Sequence, residues 1–260
     1  MDNEREFISD QDRYIFLLLE RDRLKKEADQ IYIAYKLAFG KLMTEIFELK
    51  IECIKKKKTI AFYQLAQNKD GSVNVSELND KIEREMRGYM SALAKMQSEN
   101  KSLQKWEPVS EYDVRRAKEI YKRLAKRLHP DLNPDIADDF ELKTLWAEIV
   151  KAYKSNNVSA LSELEILVKK RLSDIGASED TDYEIDNIEE KISHLEDEIC
   201  EITSNEPYTY GKILDDPKEK KAKTDKLQAE LESFRKYSDE LDKVIDDMLK
   251  NGGITLIWMK

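Results

Sequence analysis

The amino-acid sequence predicts an all-α protein in which a compact helical unit is flanked by two long helical arms. Its 7 glycines and 5 prolines together make up only 12 of the 260 residues, less than half the share of these residues in an average chain. Charged residues account for 38 % of the chain and hydrophobic residues for 40 %, a balance typical of long exposed helices. All-β and Rossmann-type folds need many more turn residues and are disfavoured.

Prolines and glycines fall at few places and divide the chain into four segments. Residues 1–107 contain no proline, whereas three of the five prolines lie between residues 108 and 134. Gly176 opens a polar linker, and Gly252 and Gly253 follow the last hydrophobic stripe. We therefore predict an N-terminal helical hairpin (1–107), a compact helical unit (108–175), an acidic C-terminal coiled-coil hairpin (176–250) and an apolar tail (251–260).

The N-terminal arm contains two hydrophobic stripes with helical spacing. The first stripe consists of Leu24, Ala28, Ile31, Tyr35, Ala38, Leu42, Ile46, Leu49 and Cys53. The second consists of Val75, Leu78, Ile82, Met86, Tyr89, Leu93, Met96 and Leu103. We interpret both stripes as core packing between two helices, and pairing of the arms with a second copy of the chain remains open.

The turn between these two stripes overlays the calcium-binding loop of an EF-hand, from Ala66 to Glu77. Ala66 stands at the first ligand position and offers no side-chain oxygen. Gly71 suits a helix end, and Asn74 with Glu77 suits the start of the next helix. We therefore predict an ordinary helical turn that does not bind calcium.

The C-terminal arm contains two heptad-like seams of hydrophobic residues. The first seam consists of Ile185, Ile188, Ile192, Leu195, Ile199 and Ile202. The second consists of Leu227, Leu231, Phe234, Leu241, Ile245 and Met248, with Ser238 as a polar interruption. Because a single loop connects the two seams, we predict that they pack on each other as an antiparallel hairpin, with Pro217 in the first turn of the second helix.

A basic helix is the most distinctive feature of the middle segment. Residues 115–127 contain seven basic side chains and one acidic side chain, Glu119. Tyr121, Leu124 and Leu128 recur at i, i+3 and i+7, so one face of this helix is apolar and the remainder is cationic.

Pro130 ends the basic helix, because proline lacks an N–H and disfavours helical geometry at the residue before it. We expect the neighbouring His129 and Asp131 to lie on a stiff loop with their side chains displayed rather than packed. A second helix follows, with a predicted buried stripe of Phe140, Leu145, Trp146, Ile149, Ala152 and Tyr153.

This combination resembles the J-domain of the DnaJ family of co-chaperones. The His-Pro-Asp tripeptide follows Tyr-Lys-Arg-Leu-Ala (residues 121–125) and three further residues. Residues 146–153, Trp-Ala-Glu-Ile-Val-Lys-Ala-Tyr, are similar to the family's helix III signature. The resemblance covers residues 108–170, less than a quarter of the chain, and implies helix II at 115–128 and helix III at 138–155.

The resemblance implies a function in binding. Members of this family bind Hsp70-type (DnaK-like) chaperones and stimulate their ATPase. Their basic helix contacts an acidic surface of the Hsp70, and their His-Pro-Asp loop contacts the junction between the nucleotide-binding domain and the linker of the Hsp70. The implied Hsp70-binding residues are Lys118, Tyr121, Lys122, Arg123, Lys126, Arg127, His129, Pro130, Asp131 and Asn133.

The sequence also departs from the family pattern. Residues 105–110 do not match the family's helix I, so Trp106 or the end of the N-terminal arm is expected to supply that packing. Leu132 stands where a basic residue is common. Neither a Gly/Phe-rich linker nor a zinc module of Cys repeats follows, so we expect a specialised co-chaperone whose arms recruit an unknown client or partner.

Two other classes of function compete with the co-chaperone. The first is a structural coiled-coil scaffold that binds nucleic acid or protein through the basic helix. Against nucleic acid, residues 179–250 carry 23 acidic and 11 basic side chains, a net of −12, which repels phosphate. The second is an enzyme, which we do not expect, because no nucleophile motif, Gly-rich phosphate loop or paired core carboxylates are evident.

The remaining composition predicts a cytoplasmic protein without cofactor, metal or membrane attachment. The chain has 2 histidines and 2 cysteines, too few for a His- or Cys-rich metal cluster, and we expect the cysteines to be reduced thiols. No apolar run approaches the ~20 residues of a membrane span. Residues 254–259 are too apolar for a free tail, so we expect them to fold onto an arm, with docking to a partner as the alternative.

Overall fold

The computed structural model describes residues 9–103, 109–133, 139–176 and 187–258. In these residues 84 % of the chain lies in eight helices, so the predicted all-α fold class is confirmed. None of these helices is long and apolar enough to cross a membrane. The elements are α1 (Asp10–Gln67), β1 (Ser72–Asn74), α2 (Val75–Leu103), α3 (Glu111–Leu128), α4 (Phe140–Lys154), α5 (Val158–Asp174), α6 (Ile188–Ser204), α7 (Tyr210–Asp215), α8 (Pro217–Lys250) and β2 (Thr255–Ile257).

The chain divides into two compact units, and α1 contributes to both of them. The first unit contains α1 as far as Gln30 together with α3, α4, α5 and α6. The second unit contains α1 from Ile31 onward together with α2, α7, α8 and both strands. Because one helix is shared, this division does not follow the four segments predicted from the positions of proline and glycine.

In the second unit, α2 folds back along α1 after a turn whose glycine at the helix end and asparagine cap match the sequence prediction, although the strand β1 between them was not predicted. Ile51 of α1 packs with Met86 and Leu93 of α2 in one buried cluster. Gly71 has φ +76°, and the side chain of Asn74 accepts hydrogen bonds from the N–H groups of residues 76 and 77 at 3.0 and 3.3 Å. The Asn74 amide oxygen therefore caps the start of α2.

The apolar tail folds onto this same turn, as the sequence predicts. β2 pairs in parallel with β1, in a register that places Leu256 opposite Val73. Ile254 is buried in a cluster with Tyr63, Val73 and Met248. Both strands and the cluster belong to the second unit, so Ile254 is part of its core, whereas Leu256, Ile257 and Trp258 stay exposed.

The predicted hairpin between the two seams of the C-terminal arm is wrong, because the seams belong to different units. In the first unit, the α6 seam buries Ile192 and Leu195 against Tyr14 and Leu18 of α1. In the second unit, the α8 seam buries Leu227 and Leu231 against Tyr35, Phe39 and Ile46 of α1. The uninterrupted 58-residue α1 offers successive apolar surfaces, and hydrophobic periodicity identifies the buried face of a helix without identifying its partner.

The polar interruption of the α8 seam has a specific partner in the second unit. Ser238 is buried, and its hydroxyl oxygen accepts a hydrogen bond of 2.7 Å from Lys56 Nζ of α1. The same ammonium pairs with Asp242 at 2.6 Å. The seam therefore stays continuous because a buried hydroxyl is satisfied at this position.

In the first unit, α3, α4 and α5 pack around one hydrophobic core. The core includes Tyr121, Leu124 and Leu128 of α3 as predicted, and the rings of Tyr121 and Tyr153 stack at 3.9 Å. One predicted core residue is wrong, because the Phe140 side chain is 85 % exposed.

Phe140 is exposed because of the way α4 begins. The Asp139 carboxylate caps the helix by accepting the N–H groups of Glu141 and Leu142, each at 3.0 Å. Phe140 is therefore the first helical residue and points away from the core. Leu142, which the predicted stripe omits, is buried instead.

Candidate functional site: the loop at the end of the basic helix

Local sequence sets both ends of α3. At its start, the Ser110 hydroxyl accepts the N–H of Asp113 at 3.1 Å, a standard helix cap. At its end, the N–H of His129 donates to the Ala125 carbonyl oxygen at 2.9 Å. Pro130 follows, and the helix ends at Leu128 as predicted from the proline.

The basic face of α3 carries a row of three exposed lysines, Lys118, Lys122 and Lys126, four residues apart. We call it the lysine row. Arg123, predicted with them, instead makes two hydrogen bonds to the carboxylate of Glu165 on α5, at 2.9 and 3.1 Å. Arg127 is half-buried. The lysine row is therefore one accessible part of the predicted cationic surface, and the Arg123 side chain stays 55 % exposed despite its pair.

The His-Pro-Asp loop is a tight turn anchored by its own backbone. The N–H groups of Leu132 and Asn133 both donate to the His129 carbonyl oxygen, each at 2.9 Å. The Asn133 side chain is 2 % exposed, and its Nδ2 lies 3.4 Å from the Lys126 carbonyl oxygen. Asn133 therefore holds the loop against the end of α3 and is a supporting residue rather than a displayed one.

Leu132 fixes the loop to other helices of the first unit. Its side chain is buried in the cluster formed by Tyr14 and Leu18 of α1 with Ile192 and Leu195 of α6. An exposed basic side chain at this position would lose that apolar contact. The apolar side chain at position 132 is thus explained by packing on α1 and α6.

His129 is buried, which contradicts the expectation that its side chain is displayed. The residue is 5 % exposed, and its ring meets Trp146 edge-on with the centroids 5.0 Å apart. Nδ1 accepts the Asp131 N–H at 3.1 Å, and Nε2 lies 3.3 Å from Arg21 Nη2 and 3.6 Å from the Asp22 carboxylate. The expectation was wrong because α1, far away in sequence, covers the ring.

Asp22 of α1 joins the loop to the core of the first unit. Its Oδ2 accepts a 2.7 Å hydrogen bond from the Tyr121 hydroxyl. Burial alone would raise the pKa of Asp22, but hydrogen bonds from His129 and Tyr121 and the charge of Arg21 outweigh it and lower the pKa below its usual value. The Asp22 carboxylate is therefore charged at neutral pH.

Arg21, beside Asp22, reaches the exposed end of the loop. Its Nη1 lies 3.3 Å from Asp131 Oδ2, and its Nη2 lies 3.0 Å from Asp22 Oδ1. The Arg21 side chain is 12 % exposed, whereas that of Asp131 is 43 % exposed. Of the His-Pro-Asp side chains, Pro130 and Asp131 are therefore the accessible ones.

Lys26, one turn further along α1, is a buried lysine. Its Nζ hydrogen-bonds to Asn156 Oδ1 at 2.5 Å and lies 3.7 Å from the centroid of the Tyr153 ring. Burial, followed by the charge of Lys118, lowers the pKa of Lys26 to about 8. The folded state therefore releases this proton at a lower pH than the unfolded chain does.

We expect replacement of Lys26 by methionine to flatten the pH dependence of stability. Between about pH 8 and the usual lysine pKa, the unfolded chain keeps a proton that the folded protein has lost, so the free energy of unfolding rises with pH. From about pH 7.5 to 9.5, urea unfolding should show this gain, on the order of 1 kcal/mol after allowance for solvent screening, in the wild type but not in Lys26→Met.

Lys25, the exposed neighbour of Lys26 on α1, provides the matched control. Lys25→Met removes an equivalent side chain without touching the buried contact. If Lys26→Met keeps the full rise in unfolding free energy, the buried amine is not its source.

The structure brings together the residues that sequence reasoning assigned to the site but adds three residues of α1 that it missed. Arg21, Asp22 and Lys26 carry no motif, and their charges resemble those of any solvated helix. The sequence predicted that Trp106 or the end of the N-terminal arm packs on this core, and Trp106 lies outside the described residues. Leu19, near the start of α1, packs against the α3–α5 core.

The fold and the site define an all-α protein with a charged loop at the end of a basic helix. Comparison with models of known protein families, with curated proteins and with solved structures found no match to this chain.

Proposed function

We propose that this chain is a J-domain co-chaperone that binds an Hsp70-type chaperone and stimulates its ATPase. The observation that carries the proposal is the placement of the lysine row directly before the His-Pro-Asp loop, with Lys126 and Asp131 both exposed. Cationic and anionic recognition groups thus lie side by side on one short stretch of chain.

Each part of this surface has a chemical role in the proposed complex. The lysine row attracts an acidic surface of the chaperone and speeds association, because charges outside the contact steer the encounter. The Asp131 carboxylate accepts charge-assisted hydrogen bonds from an arginine of the chaperone. Neither role requires a reaction at this chain, so we propose binding rather than catalysis.

The remaining predicted site residues support these two groups. Tyr121 and His129 are buried and join α3 to α1 through Asp22. Arg123 joins α3 to α5. They keep the lysine row and the loop at a fixed spacing, and preorganised groups lose less entropy on binding. We assign recruitment of a client or partner to the second unit.

Binding of nucleic acid is the competing function, and it rests on the same lysine row. Lysines four residues apart on one helix face can contact successive phosphates. However, Asp131 lies beside the row, and α6 contributes the exposed carboxylate of Glu196 to the same unit. These charges oppose a polyanion, so the co-chaperone is the better supported function.

Replacing Lys118, Lys122 and Lys126 together with alanine tests the proposal. We expect the association rate with an immobilised DnaK-like Hsp70 to fall at least about tenfold at low salt, and its salt dependence to decrease, because electrostatic steering is lost. Alanine keeps helix propensity high, and circular dichroism should show unchanged helix content.

A matched control removes the same charge elsewhere. Lys218, Lys220 and Lys221 are exposed lysines at the start of α8, and replacing them with alanine should leave the association rate unchanged. Equal decreases in the association rate for the two triple variants would mean that net charge, and not the lysine row itself, sets this rate. A different result would favour the nucleic-acid scaffold: the wild type binds duplex DNA but not the Hsp70, and the lysine-row variant no longer binds the DNA.

A further inference from the structure

The Asp131 carboxylate, which a partner must reach, is already paired within the chain. We propose that the beginning of α1 holds the His-Pro-Asp loop in a closed state, with Arg21 occupying the place of a partner's arginine. The inference rests on the proposed function and adds a regulatory contact to it.

Arg21 is held at this position before any partner arrives. Its guanidinium forms ion pairs with Asp22 at 3.0 Å and with Asp131 at 3.3 Å, and it lies 3.8 Å from Glu198 of α6. Burial alone would lower the pKa of Arg21, but these carboxylates outweigh it and raise the pKa. A charged guanidinium that Asp22 and Glu198 already hold in place loses little conformational entropy when it also contacts Asp131.

The α1 segment is clamped over the loop by contacts that do not involve Arg21. Tyr14 and Leu18 pack on Leu132 and on the α6 seam. Arg13 pairs with Glu196 at 2.5 Å, and Lys25 pairs with Glu198 at 3.2 Å. Loss of the Arg21 side chain therefore leaves α1 in place and opens the contact with Asp131, together with the Arg21 contacts to Asp22, Glu198 and His129 Nε2.

The contact is weak enough for a partner to replace it. Asp131 is 43 % exposed, and an ion pair with a solvated member contributes little to stability. A partner's arginine can exchange with Arg21 on the Asp131 carboxylate while the apolar anchor of Leu132 stays buried. The competition should lower the affinity for the partner by only about two- to fivefold.

The test compares Arg21→Gln with Arg23→Gln, which removes an arginine of the same helix that pairs with Glu20 and Glu27 of α1 and not with the loop or α6. We expect Arg21→Gln to bind immobilised Hsp70 about two- to fivefold more tightly than the wild type. Backbone amides of residues 131–133 should exchange hydrogen faster in this variant. Arg23→Gln should change neither quantity.

Each result of this experiment decides one question. If the wild type binds the Hsp70 and Arg21→Gln binds equally or more weakly, Arg21 does not compete and the closed state is wrong. If no variant binds, the proposed function fails, and the exchange rates alone decide whether Arg21 closes the loop: unchanged rates reject it. Arg21→Lys keeps the charge but cannot bridge two carboxylates in the same way, so its affinity for the Hsp70 should lie between those of the wild type and Arg21→Gln. This variant replaces Arg21→Gln in the test if Arg21→Gln misfolds.

Discussion

Replacing His129 with glutamine is expected to lower the free energy of unfolding by about 1–3 kcal/mol and to abolish stimulation of the chaperone at the same time. The ring is 5 % exposed and contacts Trp146, the Asp131 N–H and the Asp22 carboxylate. Glutamine cannot satisfy these contacts together, and Asp22 loses a partner in a buried site. Urea unfolding and a single-turnover ATPase assay measure the two effects.

The burial of His129 changes what this variant means. With the displayed side chain that the sequence predicts, His129→Gln would act on the partner alone and leave the free energy of unfolding nearly unchanged. The chain's other histidine, His194, is exposed on α6, so His194→Gln should change neither quantity and is the control. Wild-type stability in His129→Gln would show that the imidazole does not support the loop.

Replacing Asp131 with asparagine is expected to separate recognition from stability. Stimulation should fall more than about tenfold, because the charge-assisted hydrogen bonds to a partner's arginine are lost. The free energy of unfolding should change by less than about 1 kcal/mol, since the charge contacts removed are the half-solvated pair with Arg21 and the 3.7 Å approach to His129 Nδ1. The Asp131 N–H, which bonds to His129, is kept.

A carboxylate on the same helix controls for the lost charge. Glu119 is exposed on α3, and Glu119→Gln should stimulate the chaperone as the wild type does. Full stimulation by Asp131→Asn, measured beside this control, would mean that Asp131 is not the recognition group.

The features that sequence reasoning predicted correctly are those decided by neighbours in the chain. Pro130 ends α3 because it cannot continue a helix, and Asn74 caps α2 because its amide reaches N–H groups two and three residues on. The periodic positions Leu124 and Leu128 are buried because helical spacing places them on one face. None of these features depends on where a distant segment lies.

The features it missed depend on contacts between distant residues. The hydrophobic seams of α6 and α8 are both regular, and each is buried on a different stretch of α1. No local feature of either seam shows that it packs on α1 rather than on the other seam. Arg21 and Asp22 reach residues about 100 positions away, at Tyr121, His129 and Asp131. Charged residues such as Arg21 and Asp22 occur at the same sequence positions of a helix whether they face water or a loop. The burial of His129 under α1 therefore could not be predicted from the sequence.

The most direct test of the proposed co-chaperone is a single-turnover ATPase assay of a DnaK-like Hsp70, with and without the full 260-residue chain. We predict that the wild type accelerates hydrolysis in a concentration-dependent manner, and that Asp131→Asn at the same concentrations does not. Equal hydrolysis rates with the wild type, with Asp131→Asn and without added protein would contradict the proposal.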